Sequence, residues 1–249
     1  MFTLASLLTI GVIGSLISGM IGGGSGLILT PVQILLGIDP KVATTTTHFG
    51  FIGVSLGALA RFRREPGMPR LPKLHTVSLT LLSLLSGLAG PHLLFSVDSE
   101  VFQRIIGVLI LLCIPLFLRK STLGVSVSRI SVGKRFLGYT LFWLVLTMQV
   151  AFGAATGVIA IFVLVYFFGL SMLETSAALR LPNLASSLTG LAVYAKHGTI
   201  NFQYGFTLLA AMILGGYLGS HLAIKGGNHL VKQLFAGFAV IVSAMMVAL

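Results

Sequence analysis

Gly19-Met20-Ile21-Gly22-Gly23-Gly24-Ser25-Gly26 lies inside an unbroken apolar block, residues 2–37. A membrane helix needs about 20 apolar residues. As one helix this block would be about 50 Å long, so the glycine run reads as a break between two pieces. Residues 136–169 form a second block of that kind, interrupted at Gly153-Ala154-Ala155-Thr156-Gly157. Six shorter blocks fall at 42–62, 74–96, 101–118, 175–195, 203–224 and 229–248. The fold class expected is an all-α polytopic membrane protein.

Composition supports this. Mean hydropathy is +1.04, and charged residues are 8% of the 249, against about 25% in a soluble domain. The formal net charge of +11 collects in gaps between blocks. Arg61, Arg63, Arg64, Arg70 and Lys73 share one gap; Arg119, Lys120, Arg129, Lys134 and Arg135 share another. Basic gaps of this kind fix orientation and stay in the cytoplasm; they give no reason to expect nucleic acid. Cys113 is the sole cysteine, so it is expected to pack inertly without a disulfide. Residues 1–6 carry no Lys or Arg and read as the start of the first span rather than a secretory signal.

The chain repeats itself. A shift of 132 residues lays Gly37 on Gly169, Gly22-Gly23-Gly24 on Ala154-Ala155-Thr156, Thr44 on Ser176, His48 on Arg180 and Ser55 on Ser187. With a small gap the match resumes: Gly87, Gly90 and His92 fall on Gly216, Gly219 and His221, and Gln103 and Gly107 on Gln233 and Gly237. Two membrane repeats are expected, residues 1–120 and 136–249, joined by a basic cytoplasmic linker, 121–135. The gap after the second block is strongly basic in repeat one but holds only Lys196 and His197 in repeat two, where Lys225 and Lys232 flank the next. That reversal favours inverted over parallel repeats. Inversion requires each long block to cross twice, with both termini outside; a re-entrant half-helix would instead make the repeats parallel.

Broken helices at matching repeat positions point to a transporter binding site. Helix N-termini exposed at such breaks present N–H groups and partial positive charge, which favour anions. The expected substrate-binding residues are Gly22, Gly23, Gly24, Ser25, Thr44, Thr45, His48, Thr156, Gly157, Ser176, Arg180 and Asn183. Thr44, His48 and Phe51 share one helix face; Ser176, Arg180 and Asn183 share another. An ionisable group in an apolar segment is functional by default, and arginine forks onto oxyanions. Arg180 could also snorkel to an interface, His48 could be a packing histidine, and the threonines could bond their own helix carbonyls. His92 and His221 read as interfacial, and Tyr139, Trp143 and Tyr194 as interface or packing aromatics. No paired His/Cys motif or P-loop occurs, so neither metal nor ATP is expected, and the cofactor set is none.

In these residues the sequence resembles the TauE/SafE family of sulfite and organosulfonate exporters. The resemblance rests on Gly19 to Gly26, Pro31, Gly37-Ile38-Asp39-Pro40 and the run from Ala43 through its threonines. A weaker second copy runs from Gly153 to Asn183, with Ala-Ala-Thr replacing the glycine triplet. It implies secondary transport of sulfur-containing or carboxylic anions across the inner membrane, without enzymatic activity. The partners implied are a small anion and the bilayer. A coupling ion (proton or sodium), the direction of transport and the oligomeric state stay open. One alternative is an ion channel or a non-transporting membrane partner. Another is an intramembrane serine hydrolase using Ser25 with His48 as base, although the glycine run accounts for that motif more simply.

Overall fold

The computed structural model of the protein describes residues 2–68, 71–96, 124–125, 127, 130–152 and 156–248. The expected fourth block, 101–118, lies outside the described residues, as do Cys113, Arg70, Arg119, Lys120, Arg129 and residues 153–155 of the second break. The described residues are predominantly helical: α1 (Phe2–Ile21), α2 (Gly26–Leu35), α3 (Pro40–Arg63), α4 (Lys73–Ser96), α5 (Val132–Phe152), α6 (Gly157–Phe168), α7 (Met172–Ala178), α8 (Arg180–Lys196) and α9 (Phe202–Ala248). Among them, α1, α3, α4, α5 and α9 are each long and apolar enough to cross a membrane.

Local chemistry sets the boundaries. Asp39 caps α3, accepting from the backbone N–H of Lys41 at 2.9 Å and of Val42 at 3.2 Å, with Pro40 at the first helical position. Ser171 and Glu174 form a reciprocal capping box on α7. This occupies Glu174, the acid nearest in sequence to Arg180. The sixth apolar block is two helices, interrupted at Leu179. Pro182 has no N–H for the Ala178 carbonyl, which accounts for an interruption there. Residues 132–135, read from sequence as linker, are the first turn of α5. The seventh and eighth blocks, together α9, are two helices separated at Gly227, whose non-helical φ of 67° and ψ of −171° a glycine adopts without strain.

Contacts between helices fix their directions. Along α1 and α9, Gly11 meets Ala211 and Gly19 meets Gly216 and Gly219, so these helices run parallel. Gly50 against Met212 and Gly57 against Ile213 make α3 parallel to α9 as well. On the other side, His75 lies beside Tyr139 and Gly90 beside Val150, so α4 and α5 run parallel. The halves meet where α3 and α8 pack antiparallel, with Phe62 beside Arg180 and His48 beside Tyr194. The starts of α4 and α8 share a cavity wall (Lys73 and Val77 with Leu181), and Gly87 meets Ser186 and Thr189 further on, so α4 and α8 run parallel. Therefore α1 and α3 point one way, and α5 and α8 the other. One end of the bundle gathers Arg61 and Arg63 of α3 with Arg64 at its C-cap, Lys73 of α4, and Lys134 and Arg135 of α5.

These crossings are close because the facing residues are small. A Cβ on Gly216 would lie 2.6 Å from the Val54 carbonyl oxygen, and one on Gly87 would lie 2.5 Å from that of Ser186. Val54 and Ser186 are partners under the 132-residue shift, as Gly216 and Gly87 are beyond the gap. Outward faces carry leucines, among them Leu81, Leu85, Leu88, Leu214 and Leu218, as lipid contact requires. The enclosed helix is α3, with 78% of its span buried against 33% for α4. It therefore forms the floor on which a central site can sit.

Candidate functional site

The first break folds back on its own helix. After Ile21 the chain turns through Gly22 and Gly24, at φ 108° and 106°, values natural only to glycine. It returns until Ser25 and Leu29 lie beside Gly14 of α1. From there α2 runs its 10 residues, about 15 Å, antiparallel to α3. Gln33 donates to the Ala43 carbonyl at 3.4 Å and also bonds the Thr47 hydroxyl. α2 begins inside the bundle with Ser25 at its cap position and no side-chain cap.

The second break meets the first. A Cβ on Gly157, the first residue of α6, would lie 3.6 Å from the Gly24 nitrogen and 3.7 Å from the Gly23 Cα. α6 likewise starts without a side-chain cap, at Thr156. Two helix N-termini therefore face one another in the interior, each bringing first-turn N–H groups that its own helix cannot pair and the positive end of a helix dipole. Thr156 has φ −67°, so its backbone does not copy that of Gly24, its counterpart under the shift.

Between them lies a small cavity of about 10 Å³, room for about one water. Its walls are Ser18, Gly23, Gly24 and Ser25, then Phe51, Val54 and Ser55 of α3, Gln149 of α5, and Arg180, Asn183 and Ser187 of α8. Among the described residues, three buried polar atoms on these walls lack a hydrogen-bond partner: Ser55 Oγ, Gln149 Oε1 and Asn183 Oδ1. Orphaned buried polar atoms are rare and call for a cause. An amide can turn either its oxygen or its NH₂ into the space.

Arg180 is 1% exposed. Its Nη2 donates to the carbonyls of Ser18 at 2.9 Å and Gly19 at 3.1 Å and to the Ser176 hydroxyl at 3.0 Å; its Nε donates to the Ser176 carbonyl at 2.8 Å. The side chain thus closes the orphan carbonyls at the C-terminus of α1, where a cation suits the dipole. Ser176, Asn183 and Ser220 add bonds to the same turn, on Met20, Gly22 and Gly19. Among the described residues no carboxylate pairs with Arg180.

Of the residues expected from sequence, Gly23, Gly24, Ser25, Arg180 and Asn183 line the cavity. Gly22 and Gly157 form the breaks beside it, with Thr156 at the cap, and Ser176 supports Arg180 from behind. Thr44, Thr45 and His48 are not on the cavity wall. Thr44 bonds the Pro40 carbonyl, Thr45 bonds those of Lys41 and Thr199, and His48 packs between Phe51 and Tyr194. The α3 face that reaches the cavity lies a turn or two further on, at Phe51 and Ser55. Ser187, Ser55, Gln149 and Ser18 are the residues that site reasoning from sequence missed. The repeat carried a signal for two of them, because Ser55 and Ser187 are a matched polar pair. His221 accepts from Arg61 Nε at 3.1 Å, while Arg61 pairs with Glu65 at 2.8 Å, beside the basic end of the bundle.

Comparison with known proteins gives a consistent picture. A family model described as sulfite exporter TauE/SafE matches residues 7–246. A Haemophilus influenzae protein named "Probable membrane transporter protein" is 30% identical, over 98% of this chain and 93% of its own. "Probable membrane transporter protein YfcA" of Escherichia coli K12 is 27% identical, over 92% and 82%. "Probable membrane transporter protein ORF9" of a Sinorhizobium species is 24% identical, over 92% and 86%.

Proposed function

Because this chain belongs to the sulfite exporter TauE/SafE family of multi-pass membrane transporters, we propose that it carries a small oxyanion across the inner membrane by alternating access. Sulfite, an organosulfonate, or a related sulfur-containing or carboxylic anion matches the chemistry of the site's walls, in a state where the cavity is wider. The carrying observation is the convergence of two uncapped helix N-termini with the buried Arg180 guanidinium on one cavity, with no carboxylate on its wall. Arg180 and the two helix N-termini favour a negative ligand there, and Arg180 also offsets the carbonyl end of α1. The Ser55 hydroxyl can donate to it, and the Gln149 and Asn183 amides can do so when turned to present NH₂ in place of their orphaned oxygens.

The opposite directions of α1 and α3 relative to α5 and α8, and the matched contacts of Gly216 and Gly87, support reading the halves as inverted repeats. The site then lies at their interface, where rocking of one half against the other exposes it to either side. A cavity of about 10 Å³ is too small for an oxyanion, which supports a closed carrier state over a continuous pore. The basic end of the bundle marks the cytoplasmic face.

Thermal unfolding of the detergent-purified protein, titrated with sulfite, sulfate, thiosulfate, small sulfonates and carboxylates, tests the site. The expected result is selective stabilisation by one anion class, lost in Arg180→Gln. Absence of any response, or an equal response in Arg180→Gln, would overturn the anion assignment.

A further inference from the structure

The 132-residue shift that pairs His48 with Arg180 also pairs Phe62 with Tyr194. In space these four residues form two couples. The Arg180 guanidinium lies over the Phe62 ring, 6.0 Å from its centroid, and the His48 ring lies against the Tyr194 ring, with centroids 5.6 Å apart. Both aromatics are buried. Phe62 and Tyr194 sit toward opposite ends of the bundle, so each couple stands on one side of the central cavity.

What lies beyond each couple differs. Beyond Phe62 an open cavity of about 670 Å³ is lined by Leu59, Phe62, Ala178 and Leu181 and by Lys73 and Val77 at the start of α4. The shift turns Ala178 and Leu181 into Thr46 and Phe49; the gap-corrected alignment turns Lys73 and Val77 into Phe202 and Phe206. Of these counterparts Thr46 and Phe49 are buried, while Phe202 and Phe206 pack on Phe49 and keep their outer faces exposed. Phe49 meets Phe206 edge-on at 5.0 Å and Phe202 at 6.2 Å. Thr46 accepts from the Asn201 N–H at 3.4 Å, and Thr45 donates to the Thr199 carbonyl at 2.6 Å.

We infer that Phe62 and Tyr194 are the two gates of the carrier, and that this structure is its cytoplasm-facing state. The 670 Å³ vestibule is the inner access route, with Phe62 on its wall toward the site. The Phe49, Phe202 and Phe206 cluster, with Tyr194 beneath it, is the closed outer route. The opposite state exchanges the two environments: the Phe49 cluster parts, and the walls around Ala178 and Leu181 close. The inference rests on the inverted-repeat carrier read above, but not on which ligand the site takes.

Single-cysteine labelling in a Cys113→Ser background tests it without any substrate. Ala178→Cys reports the vestibule and Thr46→Cys its outer counterpart. A membrane-impermeant maleimide is applied to membrane vesicles of each orientation. Ala178→Cys is expected to label from the cytoplasmic face, and Thr46→Cys to resist from the outer face. Phe206→Ala, which loosens the outer cluster, is expected to raise Thr46→Cys labelling several-fold and to lower that of Ala178→Cys. Phe49→Leu is the second variant should Phe206→Ala fail to accumulate. A rise at residue 46 with no fall at residue 178, or no change at either, would overturn the gating inference. Reciprocal labelling in a protein that answers to no anion would keep the gates and reject the anion site.

Discussion

Arg180 Nη2 donates to the Ser18 carbonyl oxygen at 2.9 Å, joining the start of α8 to the last turn of α1. The same bond holds the guanidinium at the cavity wall, so one side chain serves both helix closure and charge. Arg180→Lys separates the two. It keeps the cation but cannot span the Ser18, Gly19 and Ser176 acceptors together. It is expected to lower the unfolding temperature, since each buried polar group left unpaired costs about 1–3 kcal/mol. Its anion affinity is expected to fall tenfold or more. Wild-type affinity in this variant would remove the fork from recognition.

Ser187 lines the cavity and is 3% exposed. Ser187→Ala is expected to weaken the anion about two- to tenfold, the size of one net hydrogen bond of about 0.5–1.5 kcal/mol. Stability without ligand should scarcely move. Ser55→Ala, at the matched position, should behave alike. Calorimetric titration of both proteins checks the pair, and unaltered affinity in both would take the hydroxyls out of the site.

Gly23 and Gly24 are neighbours with different tolerances. A Cβ on Gly23 meets Gly157 at an ordinary 3.5 Å, so Gly23→Ala should fold while narrowing the cavity and slowing flux. A Cβ on Gly24 falls 2.2 Å from the Phe238 ring, at a φ of 106°. Gly24→Ala should therefore lose several kcal/mol, about 1–2 from the backbone and about 1–3 from overpacking. Recovery of folded protein after detergent extraction separates them; equal yields would contradict the tight turn.

Thr45 is tied to the Thr199 carbonyl at 2.6 Å, away from the cavity wall. Thr45→Val is expected to cost about 1 kcal/mol of stability and to leave equilibrium anion affinity unchanged, and Thr44→Val should alter neither by much. A large affinity loss in either would return the threonine run to the binding site.

Hydropathy made the spans readable, because lipid-facing and core-facing surfaces are both apolar and only the gaps carry charge. The two breaks were readable because a block such as 2–37 is too long for one crossing. Arg180 was legible as an ionisable side chain in an apolar segment, and its burial on the cavity wall rules out the alternative of snorkelling. The half-site on α3 was not legible. His48 and the threonines before it are the polar signal there, yet Thr44 and Thr45 bond backbone carbonyls, Thr47 bonds Gln33 and His48 packs between Phe51 and Tyr194, so Phe51 with Ser55 reaches the cavity instead. Gln149 was hidden for another reason. It sits near the end of an apolar run, and the face that this turn of α5 turns to the cavity is fixed by tertiary packing, including the contacts of Val150 with Gly90 and Gly190.

The isolated charge of Arg180 has an electrical consequence. With no acid on the cavity wall to travel with the ligand, a cycle that moves one monovalent anion alone carries a full negative charge through the membrane field. Each 100 mV then adds about 2.3 kcal/mol per charge. In a cell held negative inside, that term drives the anion outward, and the resting potential would itself serve as the energy source for export.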